Sequence, residues 1–186
     1  IGKIGWDQAW PSIRELVDTG MEPKTAAAMK QIIETIDGVR GVHMLRSRRM
    51  GGVYLIDVHI VVNERLSVSE GHKIAEYVRL KLIDSHESIS NALVHVDPED
   101  DSVAMLCADL PLRREVLRDL RQAWAEDIGL FELDEVILHY LNGKVHVDLV
   151  CASHAVNDST GQLSQRLQAQ ANAINYLGDV RVYRHC

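Results

Sequence analysis

Residues 39–62 read VRGVHMLRSRRMGGVYLIDVHIVV and predict a β-hairpin. Val39–Arg49 forms the first strand, Met50–Gly52 the turn, and Val53–Val62 the returning strand, because both runs are rich in aliphatic and β-branched residues. Alternate residues of the returning strand are all aromatic or aliphatic, which predicts that one face of the hairpin packs against helices. The other face carries polar residues and should be open.

Helices and a third strand flank this hairpin. A helical pattern runs from Pro23 towards Gly38, and Ser67 begins a second helix because a capping box follows it. A third strand covers Asn91–Asp97, so the order of elements is α-β-β-α-β. The preceding stretch Gly5–Gly20 is also predicted to be helical, with Pro11 breaking it or opening a new first turn.

The same order of elements recurs after the acidic run Glu99–Ser102. The predicted elements are a helix at Leu112–Asp127, a strand at Glu132–Leu141, a tight turn at Asn142-Gly143, a strand at Lys144–Cys151, a helix at Ser159–Tyr176 and a strand at Asp179–His185. This is a repeat of about 90 residues. The predicted fold class is α+β, with two tandem ferredoxin-like α-β-β-α-β sandwiches preceded by a short helical segment.

Composition narrows the possible functions. The 186 residues carry a net charge of −7 and 5% aromatic residues, which disfavours nucleic-acid binding. No apolar run is long enough for a membrane helix. Three cysteines without a CxxC pair favour a reducing compartment. No nucleophile has an evident paired base, so we do not expect an enzyme. Nine histidines are the one unusual feature, and the missing initial Met suggests a piece of a longer protein.

Several of these histidines share the open face of the first predicted sheet. His43, His59, His95 and Asp97 alternate with apolar residues on their strands, and a three-residue turn would place His43 directly opposite His59. Met44 should then face the helices. Imidazole and carboxylate groups are ligands of zinc and similar metals, so these residues predict a metal site. The alternative is a set of ordinary surface histidines.

The second unit has a weaker cluster of the same kind. The Asn142-Gly143 turn places His139 opposite His146, with Asp148 on the same face and His185 at the end of the last strand. Zinc could use these four residues. The alternatives are a polar exposed sheet face and a surface that packs on the first unit.

Four motifs in the first unit resemble the cation diffusion facilitator (cation efflux) family, in its C-terminal cytoplasmic domain. They are Gly41–Gly51, Ile56–His59, Val68–Ala75 and Val94–Pro98. The segment Leu16–Gly20 is also similar to the one that joins the last membrane helix of that family to this domain. The resemblance covers about residues 5–100 and does not extend to residues 111–186.

The resemblance implies a function and a ligand set. The family exports Zn²⁺, Mn²⁺, Fe²⁺, Cd²⁺ or Co²⁺ in exchange for protons, and its homodimeric cytoplasmic domains have a metallochaperone-like fold that binds metal at the dimer interface. The implied ligands are His43, His59, His72, His95 and Asp97, with Asp97 bridging two ions and His72 available from the partner protomer. Met44 stands where many members have Asp, which affects the orientation of His43.

We therefore interpret residues 1–20 as a juxtamembrane linker segment, 21–104 as a cation-efflux cytoplasmic domain and 105–186 as a second ferredoxin-like domain. The expected function is metal sensing and dimerisation for a zinc-type efflux transporter, proton-coupled in the full protein. We expect a homodimer that binds metal ions and no nucleic acid, on the cytoplasmic side of a bacterial inner membrane, joined to membrane helices outside this chain. The alternatives are a free-standing metal-binding module and a structural dimerisation domain without metal.

Overall fold

The computed structural model describes residues 1–16, 20–125, 136–151 and 160–184. The chain divides into two compact units, Ile1–Ser102 and Val103–Cys186. Each unit contains one three-stranded sheet. Among the described residues, no helix is both long and apolar enough to cross a membrane.

The first unit has the predicted α-β-β-α-β order after an N-terminal helix. Its elements are α1 (Gly2–Leu16), α2 (Pro23–Glu34), β1 (Gly41–Met50), β2 (Val53–Val61), α3 (Val68–Ser85) and β3 (Ile89–Asp97). Ser67 caps α3 as predicted, because its side chain accepts a hydrogen bond from the backbone N–H of Glu70. The predicted break at Pro11 was wrong: α1 continues to Leu16, since one missing N–H removes only one hydrogen bond from the helix.

The sheet of the first unit has the order β1-β2-β3, with β1 antiparallel and β3 parallel to β2. Ile56, Val58 and Ile60 of β2 are almost fully buried, so the predicted apolar face is confirmed. We call the opposite face of this sheet the polar face. It carries Asp57 and His59, which alternate along β2 with the buried residues.

The hairpin turn is shorter than predicted, and this changes the register at His43. Gly51 and Gly52 form a two-residue turn with φ of 60° and 85°, and Met50 pairs with Val53. The predicted direct pairing of His43 with His59 was therefore wrong. A β-bulge lies between Val42 and Met44, and Met44 stands opposite His59.

Because of the bulge, Met44 does not face the helices as predicted but lies opposite His59. Leu45, which pairs with Val58, packs against the core in its place. In a bulge two residues oppose a single residue on the neighbouring strand, so His43 is the extra residue and stays near His59. The short turn and the bulge together keep the imidazole of His43 on the polar face.

The second unit repeats the predicted element order. It contains α4 (Arg113–Ala123), β4 (Val136–Leu141), β5 (Lys144–Cys151), α5 (Thr160–Ala171) and β6 (Leu177–Arg184), with the sheet order β4-β5-β6. The Asn142-Gly143 turn and the pairing of His139 with His146 are as predicted. Both tandem units are thus α+β sandwiches of the ferredoxin-like type.

Several element boundaries in the second unit differ from the predictions. α5 ends at Ala171 rather than Tyr176, because Asn172 and Asn175 lie in a turn that precedes β6. α4 ends at Ala123 rather than Asp127, and β6 begins at Leu177 rather than Asp179. The predicted starts at Glu132 and Ser159 and the predicted strand end at His185 lie outside the described residues. The core centres on Trp124, whose indole Nε1–H donates to the backbone oxygen of Leu167 at 3.0 Å.

Candidate metal centre

Two histidines and one carboxylate converge on the polar face of the first unit. Asp97 Oδ2 lies 2.9 Å from His43 Nε2 and 2.8 Å from His59 Nδ1. A carboxylate only accepts hydrogen bonds, so both imidazoles donate to the same oxygen. The side chains of His43, His59 and Asp97 are only 9%, 22% and 16% exposed. We call these three residues the Asp97 trio.

The local structure explains why residues far apart in sequence meet here. His59 lies on β2 beside His95 of β3, because these strands pair in parallel with His59 opposite His95. Asp97 comes two residues after His95 and therefore points to the same face. The bulge in β1 adds His43 from the other side of β2. Each of the three strands thus contributes one member of the trio.

A second trio shares His59. His95 Nε2 lies 3.1 Å from Asp57 Oδ1, and the rings of His59 and His95 stack with centroids 4.3 Å apart. Asp57, His59 and His95 offer ligand atoms that all lie within 4.8 Å of one another, as do the members of the Asp97 trio. We call this set the Asp57 trio. Its outer members are more exposed, His95 to 43% and Asp57 to 45%.

Asp57 was not among the ligands predicted from the sequence. Its position two residues before His59 on the same strand gave the signal, because alternate residues of a strand share a face. Of the ligands predicted in the first unit, His43, His59, His95 and Asp97 belong to the two trios. His72 belongs to neither. With Asp57 included, the polar face offers five ligand-type residues, which are His43, Asp57, His59, His95 and Asp97.

The spacing of the Asp97 trio fits a tetrahedral metal ion with little movement. Zinc binds histidine nitrogen and carboxylate oxygen at about 2.0–2.2 Å, which places neighbouring ligand atoms roughly 3.3 Å apart. The nitrogens of His43 and His59 would therefore move away from Asp97 Oδ2 by about 0.5 Å. The protons that they now donate to Asp97 must leave those nitrogens, because metal ligation uses the neutral imidazole lone pair.

An additional carboxylate lies on the far side of His43. Asp100 Oδ1 is 3.4 Å from His43 Nδ1. The same oxygen accepts the backbone N–H of Ser102 at 2.9 Å and its hydroxyl. The hydrogen bond from the Ser102 hydroxyl is the largest influence lowering the pKa of Asp100, followed by the Ser102 backbone N–H, and the charge of His43 adds a smaller part. From the sequence alone, this stretch was predicted only as an acidic run between the two units.

His72 lies apart from both trios. It is on α3, its side chain is 72% exposed, and its nearest ionic neighbour is Glu76 Oε1 at 3.8 Å. Neither of the two groups that bring metal ligands together includes it. Its role as a ligand supplied by a partner protomer stays a prediction.

The second predicted cluster is divided into two separate pairs. His139 Nε2 lies 3.1 Å from Asp148 Oδ2, and both side chains are largely buried. His146 instead accepts the backbone N–H of Asp179 at Nδ1, at 3.0 Å. Within the part of the chain that the structure describes, these residues do not form a group of three metal ligands. His185 lies outside that part, so a site using it stays a prediction.

Comparison with known proteins identifies the first unit. Residues 21–99 match the family described as "Cation efflux protein, cytoplasmic domain". The Arabidopsis thaliana protein named metal tolerance protein C1 is 41% identical over 152 residues, covering 76% of this chain and 32% of the relative. The Bacillus subtilis manganese efflux system protein MneP is 28% identical over 98 residues, covering 53% of this chain and 33% of the relative. The predicted bacterial origin stays a prediction.

At least part of the second unit is shared with one of these relatives. The match to the Arabidopsis protein covers more of this chain than the first unit contains, so it extends beyond Ser102. This chain spans about a third of the length of each of the two relatives.

A solved MamM-CTD chain aligns with 42% of this chain and all of its own length, at a TM-score of 0.40 and 25% identity. The family model matches residues 21–99, and the two curated relatives are named for metal tolerance and for manganese efflux. Residues 21–99 therefore belong to the cation efflux family, as its cytoplasmic domain.

Proposed function

We propose that the first unit is the metal-sensing and dimerisation domain of a divalent-cation efflux transporter of the zinc type, which exchanges the exported cation for protons. The observation that carries this proposal is the convergence of His43 and His59 on one oxygen of Asp97 at 2.8–2.9 Å. Two relatives are named as a metal tolerance protein and a manganese efflux system protein, which supports a role in metal efflux.

The mechanism follows from charge and from shared ligands. Asp57 and Asp97 place two carboxylates on the polar face of a chain with a net charge of −7, so two copies of this chain repel each other. A divalent ion at either trio offsets that repulsion. A ligand such as His72 from a partner protomer would bind only when the two domains are close, so metal binding would favour the dimer and shift the transporter between two states.

The ligand chemistry favours zinc over manganese. Each trio contains two imidazoles and one carboxylate, and this mixture suits Zn²⁺, whereas Mn²⁺ prefers carboxylate, carbonyl and water oxygens. Nitrogen-rich sites also bind Zn²⁺ more tightly than Mn²⁺ in the general order of divalent metals. We therefore expect zinc to bind this chain more tightly than manganese, although one relative is named for manganese efflux.

A zinc titration of the chelator-treated chain by calorimetry, with sedimentation velocity run in parallel, tests the proposal. We expect saturable binding of one or two zinc ions per chain and a larger dimer fraction in the presence of zinc. His59→Ala should weaken zinc binding strongly, because His59 belongs to both trios. His86→Asn is the matched control: His86 caps α3 away from both trios, and Asn can still accept the hydrogen bond that Ser88 donates.

Other outcomes would favour the alternatives. A dimer that forms equally with chelator and with zinc, together with no saturable binding, would leave a structural dimerisation domain. Zinc binding without any change in sedimentation would favour a free-standing metal-binding module. Equal zinc affinities of the His59→Ala and His86→Asn variants would contradict the proposed site itself.

A further inference from the structure

The imidazole of His43 lies between two carboxylates. Its Nε2 is 2.9 Å from Asp97 Oδ2, and its Nδ1 is 3.4 Å from Asp100 Oδ1. The His43 side chain is only 9% exposed, so water has little access to the ring. Each ring nitrogen therefore faces one carboxylate oxygen, and only the Asp97 side belongs to a trio of possible metal ligands.

Asp100 is held in place independently of His43. Its Oδ1 accepts both the backbone N–H and the hydroxyl of Ser102 in the turn that follows β3. Such a turn around an aspartate is a stable local structure because the side chain replaces a backbone acceptor. The carboxylate is thus directed at the ring of His43 before any metal ion binds.

The position of one proton makes this contact depend on metal binding. Without metal, the Nε2–H of His43 donates to Asp97 Oδ2. The distance of 3.4 Å from Nδ1 to Asp100 Oδ1 is longer than an N–H···O hydrogen bond. When Nε2 binds a metal ion, the proton must sit on Nδ1, where it can be donated to Asp100.

We propose that Asp100 is a positioning residue for His43 that accepts the Nδ1 proton when Nε2 binds a divalent metal ion. The inference rests on the proposed function of the first unit. It gives Asp100 the outer-shell role that carboxylates often have behind metal-bound histidines.

Zinc affinity of three variants of the full chain tests this role. Removal of an outer-shell partner weakens metal binding by roughly 10–100-fold, and Asp100 is 39% exposed, so we expect the lower end for Asp100→Ala, about 10-fold. Asp100→Asn keeps a hydrogen-bond acceptor and should recover part of the loss. Asp101→Ala removes the same charge one residue away and should change the affinity by less than about twofold.

A spectroscopic measurement separates proton acceptance from general electrostatics. In the zinc-loaded wild type, nitrogen-15 NMR of the histidine rings should show the proton of His43 on Nδ1, with slow exchange. In zinc-loaded Asp100→Ala this N–H should exchange faster and resonate upfield, while Asp101→Ala leaves it unchanged. Zinc should also slow amide exchange at Ser102 in the wild type.

The outcomes distinguish this inference from the function on which it rests. If the wild type binds zinc but Asp100→Ala and Asp101→Ala have equal affinity and the same His43 Nδ1–H signal, the positioning role is wrong and the metal site stands. If the wild type does not bind zinc, both proposals are wrong.

Discussion

His59 belongs to both trios, and this sharing predicts a specific order of effects for single alanine substitutions. His43→Ala removes one of three ligands from the Asp97 trio and leaves the Asp57 trio complete. His95→Ala does the reverse. His59→Ala weakens both trios at once, so it should be the most damaging of the three.

The size of the effect follows from the ligand count. A structural zinc site with four ligands is worth about 10–16 kcal/mol, which is roughly 3 kcal/mol, or about 100-fold in affinity, for each ligand. We therefore expect His43→Ala to weaken zinc binding at the Asp97 trio by about 100-fold, while zinc still binds at the Asp57 trio. His59→Ala should lower both affinities by a similar factor, and His43→Ala combined with His95→Ala should resemble it.

Competition against a chromophoric zinc chelator measures these affinities over several decades. Far-UV circular dichroism of each variant checks that the sheet is intact, and His86→Asn serves again as the control. The reasoning fails if His59→Ala binds zinc within about threefold of the wild type. It also fails if His43→Ala removes all binding, because the Asp57 trio would then not be an independent site.

Two further predictions concern the second unit. A Cβ at Gly178 would lie 2.6 Å from Cε1 of His146, so Gly178→Ala should destabilise this unit by about 1–3 kcal/mol in urea unfolding. Gly161 lies in open space on α5, so Gly161→Ala should stabilise the unit by up to about 1 kcal/mol. Equal changes in the free energy of unfolding for both variants would contradict the close packing at Gly178. Burial, and then its hydrogen bond to Asp119, raise the pKa of Tyr176. A raised native pKa leaves stability unaffected below about pH 10, where the unfolded tyrosine is still protonated, and lowers it as pH rises further, by at most about 1.4 kcal/mol per pH unit. Urea unfolding at pH 9–11.5 should show this decrease, and a wild-type slope in Tyr176→Phe would refute it.

The sequence alone predicted the parts of the fold that depend on the alternation of apolar and polar residues along a strand. Every second residue of β2 is apolar, and these residues form the core, so the polar face and the direction of His59 followed from period-two patterning. The motif resemblance added the family, which the match to residues 21–99 confirms. The pairing of His139 with His146 followed from the Asn142-Gly143 turn, whose type fixes the register.

The details that the sequence did not predict depend on a single residue of register. A turn of two residues rather than three shifts every pair in the hairpin by one, and only a bulge restores His43 to the polar face. Bulges depend on packing across the sheet, which is not a local property. Asp100 was missed for a similar reason, because its contact with His43 joins a turn and a strand that are far apart in sequence.

The position of a bulge also explains why two units with the same topology offer different chemistry. In the first unit the bulge in β1 brings His43 to Asp97 and His59, so three neighbouring strands each supply a ligand. In the second unit the described residues of β4 and β5 pair without a bulge, and His146 faces Gly178 and the backbone N–H of Asp179.

That arrangement separates the two histidines that pair across the second hairpin. The Nδ1 of His146 accepts from Asp179, while His139 is paired with the buried Asp148. The same residue types on the same kind of sheet therefore form two joined trios in one unit and two isolated pairs in the other. Ligand-type residues on one face of a sheet are not sufficient for a metal site, because the irregularities in strand pairing decide which of them can reach a common point.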